Sequence, residues 1–142
     1  MKTPNHLTKG LLIAALCFTS SSVFAKSPAE CPSQNFNTFI KVFANNQSIQ
    51  QAFSHIPLKS TYRDGRIEGN PFKTEYLGAN EVQYPVMLSE YQNRQWTLPT
   101  TINRKARYNY TVRVTADNST TTLQFKKNKS CWFLTSIYNP AL

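Results

Sequence analysis

The chain has 142 residues, with 16 Lys and Arg against 7 Asp and Glu, a formal net charge of +9, and 13% aromatic residues. With only four glycines and no low-complexity run, this composition excludes a disordered or repetitive polypeptide, and the length leaves room for one core, not two. The basic excess directs attention to anionic partners.

The first 25 residues have the pattern of a secretory leader: Lys2 and Lys9, an apolar run over 11–18, then Val23-Phe24-Ala25 with small residues at cleavage spacing. The apolar run is too short for a permanent membrane anchor. Leu16 precedes Cys17 where lipoprotein processing wants a small residue, so cleavage is expected after Ala25 and Cys17 departs with the leader. Residues 26–142 are then expected to form a single α+β domain, periplasmic or secreted, whose net charge falls to +7 on losing Lys2 and Lys9. Cleavage leaves two cysteines, Cys31 and Cys131, which an oxidising compartment would pair in a disulfide. Neither has the CxxC spacing or neighbouring histidine that metal or redox chemistry would ask for.

After Pro32, Ser33 is placed to cap a helix in which Phe36, Phe39, Ile40 and Phe43 recur at i, i+3, i+4 and i+7. Three phenylalanines on one stripe need a broad apolar surface, and a sheet is the only candidate. Asn45-Asn46 interrupts this helix; Ser48 and Gln51 have capping-box spacing for a second short one, which Pro57 would end. A short strand over 58–63 comes next, with Asp64-Gly65 as a tight turn and Arg66-Ile67 as its return. Residues 72–79 are ambiguous between a loop and a short helix. Val82, Tyr84, Val86 and Leu88 alternate as in a strand, with Pro85 arguing for an edge or bulge. Residues 90–93 suggest a turn and 94–98 a strand around Trp96, which Pro99 and Asn103-Arg104-Lys105 separate from the last third of the chain.

That last third is the clearest. Tyr108, Tyr110, Val112 and Val114 alternate with Asn109, Thr111 and Arg113; Asp117-Asn118-Ser119 is a turn, and Thr121, Leu123 and Phe125 resume the alternation. A polar break over 127–130 leads to a final strand over 131–137. Together these predict a three-strand antiparallel meander, and the order of elements predicts an α+β domain with N-terminal helices packed on one face of an antiparallel sheet.

The Phe36-to-Phe43 helix, Phe53 and Ile56-Pro57-Leu58 resemble the opening of a bacterial family called domain of unknown function 4348. Leu123-Gln124-Phe125-Lys126-Lys127 and Trp132-Phe133-Leu134-Thr135-Ser136-Ile137 are similar to its closing strands. The resemblance implies a nuclear transport factor 2-like or cystatin-like cone, a helix cradled by a curved antiparallel sheet. That family carries no established activity, so no functional residue transfers.

Catalytic signals are sparse. His55 is the one histidine beyond the leader and sits where an imidazole would cap a helix C-terminus. The acidic residues are scattered singly, and no nucleophile elbow, metal cluster or cofactor motif appears. The basic residues gather instead. Arg107 and Arg113 are expected on the face opposite the tyrosines, and Lys126, Lys127 and Lys129 at a hairpin tip; this surface suits an acidic protein, an anionic glycan or a lipid surface. Nucleic acid is not expected, and the same charges would also guard exposed strands against edge-to-edge pairing. The sequence therefore favours a non-enzymatic binding protein without metal or cofactor, meeting its partner in the cone's pocket or on this basic surface, with an immunity-type protein that neutralises a toxin as one specific form. The alternative is a small pocket enzyme, a lyase, isomerase or hydrolase pairing His55 with Glu81 or Asp117.

Overall fold

The computed structural model describes residues 29–69, 71–95, 99–116, 119–129 and 131–140. The expected leader, Trp96, and Asp117 and Asn118 of the turn expected over Asp117-Asn118-Ser119 lie outside them. The described elements are, in order, α1 (Phe36–Asn45), α2 (Gln47–Ala52), β1 (Ser54–Arg63), β2 (Phe72–Leu77), α3 (Glu90–Gln95), β3 (Thr100–Ala106), β4 (Asn109–Ala116), β5 (Ser119–Asn128) and β6 (Cys131–Asn139).

Asparagines set the helix boundaries. Asn35 caps α1, its Oδ1 accepting from Thr38 N at 3.2 Å, while Ser33, the expected cap, accepts from Asn35 N one step earlier. Asn46 closes α1 through its N–H to the Phe43 carbonyl and opens α2 by accepting from Ile49 N. The Ser48–Gln51 box is not used. Asn serves both ends because its short amide accepts from the orphan N–H groups of a first turn while its backbone stays extended.

The stripe on α1 packs as its spacing requires. Phe39 and Phe43 have no exposed surface, and neither has Phe125 beneath them. Phe36 stacks on Tyr110 at 4.1 Å between ring centroids and meets Trp132 edge-on at 5.0 Å, while Phe43 meets Phe125 edge-on at 5.1 Å. Such geometries add about 0.5–1.5 kcal/mol per pair beyond area burial. The Trp132 indole N–H donates to the Gln34 carbonyl at 2.9 Å, tying the entry of α1 to β6.

The sheet runs β2-β1-β6-β5-β4-β3. β4, β5 and β6 form the expected antiparallel meander, extended at its front by β3. The sheet is mixed, however, because β1 lies parallel to β6. The first strand and the last come together only in the folded chain, so local periodicity carries no sign of their relative direction. Pro57 falls within β1, not at the end of α2. It stands in the gap where the β1–β6 register shifts between Ser54 and Lys59, and ahead of Leu58, the first residue paired with β2, so no ladder bond needs its missing N–H.

Four further expectations are corrected. Residues 72–77 are a strand, and the return from β1 comes at Phe72, not at Arg66. Residues 90–95 are helical where a turn and the start of a strand were expected. Here Ser89 and Gln92 form a reciprocal cap: Ser89 Oγ accepts from Gln92 N at 3.2 Å and Gln92 Oε1 accepts from Ser89 N at 3.0 Å. Residues 82–88 form no strand; Val82 and Met87, of opposite parity, are both buried. Asn103-Arg104-Lys105 lies inside β3, an edge strand whose every residue is exposed, where charge guards against foreign pairing.

Cys31 and Cys131 are bonded across a sequence separation of 100, with Cα atoms 5.7 Å apart. Closing a loop of that length restricts the unfolded chain, worth about 4–5 kcal/mol on the entropy model before native-state strain is subtracted. The double substitution Cys31→Ser/Cys131→Ser is expected to lower unfolding free energy by about 2–5 kcal/mol in urea titration.

In the β1–β2 connection, Arg66 grips Asp64 through Nε at 2.9 Å and Nη2 at 2.8 Å. The side-chain and then the backbone hydrogen bonds from Arg66 hold the Asp64 carboxyl down at about 2, from an ordinary 3.8. A lowered folded value means the clasp is fully present above the ordinary value and lost as pH falls through about 2. A carbon-detected titration of Asp64 is expected to place its midpoint near 2 in the native chain and to move it toward 3.8 in Arg66→Gln.

Candidate functional site

α1 turns its Phe stripe to β4, β5 and β6, and its flank at Asn37, Ile40, Lys41 and Ala44 faces a cleft of about 710 Å³. Met87, Asn93 and Arg94 line it from the 82–88 segment and α3; Pro99, Thr100 and Ile102 line it from the start of β3. The volume lies within the ~300–1,000 Å³ range usual for small-molecule sites. Ile40, Ala44, Met87, Pro99 and Ile102 make the wall mostly apolar. Its polar groups are two amides, one hydroxyl and two cations, with no carboxylate, imidazole or thiol among the lining residues described.

One buried side chain positions the Met87 wall. Gln50 of α2 is 1% exposed. Its Oε1 accepts from Val86 N at 2.7 Å and from Met87 N at 3.3 Å, and its Nε2 donates to the Met87 carbonyl at 2.8 Å and the Ala44 carbonyl at 3.5 Å. The amide thus stands in for a neighbouring strand, satisfying backbone groups that would otherwise be buried unpaired. This is why 82–88 needs no sheet partner despite its alternating residues. Asn93 adds a second tie: its Nδ2 donates to the Leu88 carbonyl at 3.3 Å, while its Oδ1 is buried with no partner among the described residues.

The residues singled out from sequence lie elsewhere. Arg107 is in the β3–β4 turn, its guanidinium 5.1 Å from the centroid of the Tyr108 ring; it is not on the strand, and so does not share a strand face with Arg113. Tyr108 is in the same turn and half exposed, while Tyr110 and Val112 face α1 as expected. Arg113 and Lys126 are exposed on the opposite face, and Lys129 is exposed at the β5–β6 turn with φ +53°. Lys127 points to the α1 side: its Nζ donates to the Gln34 carbonyl at 3.3 Å and lies 5.4 Å from the centroid of the Trp132 ring. Thr111, expected at the surface with Arg113, is 3% exposed.

His55 is the second residue of β1, exposed, and its side chain makes no hydrogen bond or ion pair among the described residues, so it does not cap α2. Glu81 instead accepts from Gly78 N at 2.6 Å within its own turn, and Asp117 lies outside the described residues. Neither His55 nor Glu81 reaches the cleft.

No family model matches the chain, and neither does any curated protein. Among solved structures, a nuclear transport factor 2-like protein from Bacteroides fragilis superposes with a TM-score of 0.57 over 80% of this chain, at 15% identity. The fold is nuclear transport factor 2-like. The chain spans half the length of that protein. A structure from work on de novo design of proteins with diverse pocket structures superposes at a TM-score of 0.36 and 11% identity over 71% of this chain.

Gln50, Met87 and α3 are absent from the residues and elements expected from sequence. Their signals are a polar Gln50 beside Ile49 on the apolar side of α2, and the Ser89–Gln92 pair at capping-box spacing. Gln50→Ala would orphan the Val86 and Met87 N–H groups and the Met87 carbonyl. The expected outcome is a loss of about 2–4 kcal/mol in denaturant unfolding, with Val86 and Met87 amides losing their hydrogen-exchange protection.

Proposed function

We propose that the protein is a non-enzymatic binding protein that takes an apolar small molecule into the cleft between α1, α3 and β3. The observation that carries this is the cleft itself: about 710 Å³, walled mostly by apolar side chains, on the α1 side of a nuclear transport factor 2-like sheet. Its polar groups are placed to orient a ligand, with Lys41 on α1 and Arg94 on α3 the charged ones. The described lining residues include no carboxylate or imidazole to act as a general base, and His55 and Glu81, considered for catalysis, stand apart from them. The Cys31–Cys131 bond supports work in an oxidising compartment, which the leader pattern over 1–25 would deliver. The likeness of the helix and closing strands to domain of unknown function 4348 agrees in fold and adds no activity.

Thr100 is an exposed lining residue on β3, so Thr100→Trp fills the cleft without touching the core. A panel of apolar fluorescent probes is expected to contain members that bind the unaltered protein with one-to-one saturation. Thr100→Trp should weaken those at least about tenfold, ~1.4 kcal/mol, while leaving the far-ultraviolet circular dichroism unchanged. Equal binding by both forms, or no saturable binding by any probe, would remove the cleft from consideration.

A further inference from the structure

The face of the sheet turned away from α1 carries an arrangement that packing does not explain. Cross-strand partners in a ladder share a face, so the β1–β2 register places Lys59 beside Tyr76, Thr61 beside Thr74 and Arg63 beside Phe72. The Thr61 and Thr74 hydroxyls are 2.9 Å apart, which fixes these rows on one side. Tyr138 of β6, in register with Thr61, reaches across β1 to Phe72 with ring centroids 5.6 Å apart. All three rings are open to solvent, Tyr76 at 65%, Phe72 at 40% and Tyr138 at 37%. Two aromatic stations result, each with a cation directly opposite, four residues or about 13 Å apart along β2, with a hydroxyl pair between them.

Two of the local carboxylates are turned away or occupied, and the third, Glu68, is exposed in the connection between β1 and β2. Glu75 faces the other side, bonded to Tyr62 at 3.0 Å and Lys73 at 2.6 Å, and Asp64 is held by Arg66. Neither Lys59 nor Arg63 has an ion-pair partner among the described residues, and both are exposed. We propose that this hairpin face binds an acidic polysaccharide lying along β1 and β2, its sugar rings stacked on Tyr76 and on the Phe72/Tyr138 pair and its acid groups paired with Lys59 and Arg63. The chemistry matches part by part. The carbon-bound hydrogens of a pyranose face are weakly positive and pack on the negative face of an aromatic ring. A carboxylate or sulfate accepts charge-assisted bonds from Lys and Arg, and the threonine pair meets the ring hydroxyls. A second copy of the chain would set cation against cation on this face. A lipid surface favours a protruding apolar tip, whereas these rings lie on the flat of a sheet with hydroxyls between them. The Cys31–Cys131 bond favours an oxidising compartment, outside the reach of most nucleic acid. This site is separate from the cleft and does not rest on it.

Calorimetric titration of the disulfide-bonded protein tests the proposal with a short oligogalacturonate, a sulfated oligosaccharide, a neutral oligosaccharide, phosphatidylglycerol vesicles and oligothymidylate. At least one of the two acidic saccharides is expected to bind saturably, and the neutral one about tenfold or more weakly. Tyr76→Ala should cost about tenfold, and Lys59→Gln and Arg63→Gln several-fold each, with amide shift changes confined to β1, β2 and the end of β6. Arg113→Gln removes the same charge elsewhere on the face and should leave affinity within about twofold. Four results would overturn the proposal: no binding of either acidic saccharide, tighter binding of vesicles or oligothymidylate, indifference to Tyr76→Ala, or equal losses from Arg113→Gln and Lys59→Gln.

Discussion

The structure depends on how little of its sheet one helix can cover. Six strands about 4.8 Å apart span roughly 24 Å from edge to edge, whereas a helix with its side chains is about 10–12 Å across. α1 commits Phe36, Phe39 and Phe43 to Tyr110, Phe125 and Trp132, so its cover falls on β4, β5 and β6. Both flanks of the sheet are left to other solutions. On the β3 side, α3 and the 82–88 segment stand off from α1 and the cleft opens between them. On the β2 side, the corresponding face carries Tyr62 and Lys73, both bonded to Glu75.

Two ties keep this arrangement from collapsing. Gln50 holds the backbone at Val86 and Met87 with good hydrogen bonds, which fixes one wall of the cleft at a set distance from α2. The Cys31–Cys131 bond and the Trp132–Gln34 contact fix the start of α1 to β6, so the aromatic stripe cannot slide along the sheet toward the open flank. The cleft persists because its walls are anchored elsewhere, by polar bonds that its own apolar side chains do not supply.

Legibility in the chain tracks the range of the interaction. The α1 stripe, the β4–β5–β6 meander and the disulfide are encoded in local period or in the two cysteines that lie beyond the leader pattern, and all three are present. The parallel contact of β1 with β6 joins residues some eighty positions apart and leaves no local trace. The 82–88 segment misleads because its alternation imitates a strand, when a glutamine 36 residues earlier supplies its bonds. Arg107, Arg113, Lys126, Lys127 and Lys129 group as one surface on paper, but Lys127 turns toward α1 and Arg107 enters a turn. Lys59 and Arg63 give no signal in sequence because their aromatic neighbours lie on other strands and meet them only in register.

If α1 fills the sheet over β4–β6 and leaves a fillable space against β3, that space should admit a probe and the aromatic core should not. Methyl-resolved NMR with an apolar probe tests this most directly. The Ile40, Ala44, Met87 and Ile102 methyls are expected to shift together on titration, while Leu58, Leu123 and Leu134, fully buried under the helices, stay in place. Shifts at Leu123 and Leu134 with none at Ile102 would contradict it, because they would place the accessible space inside the aromatic core.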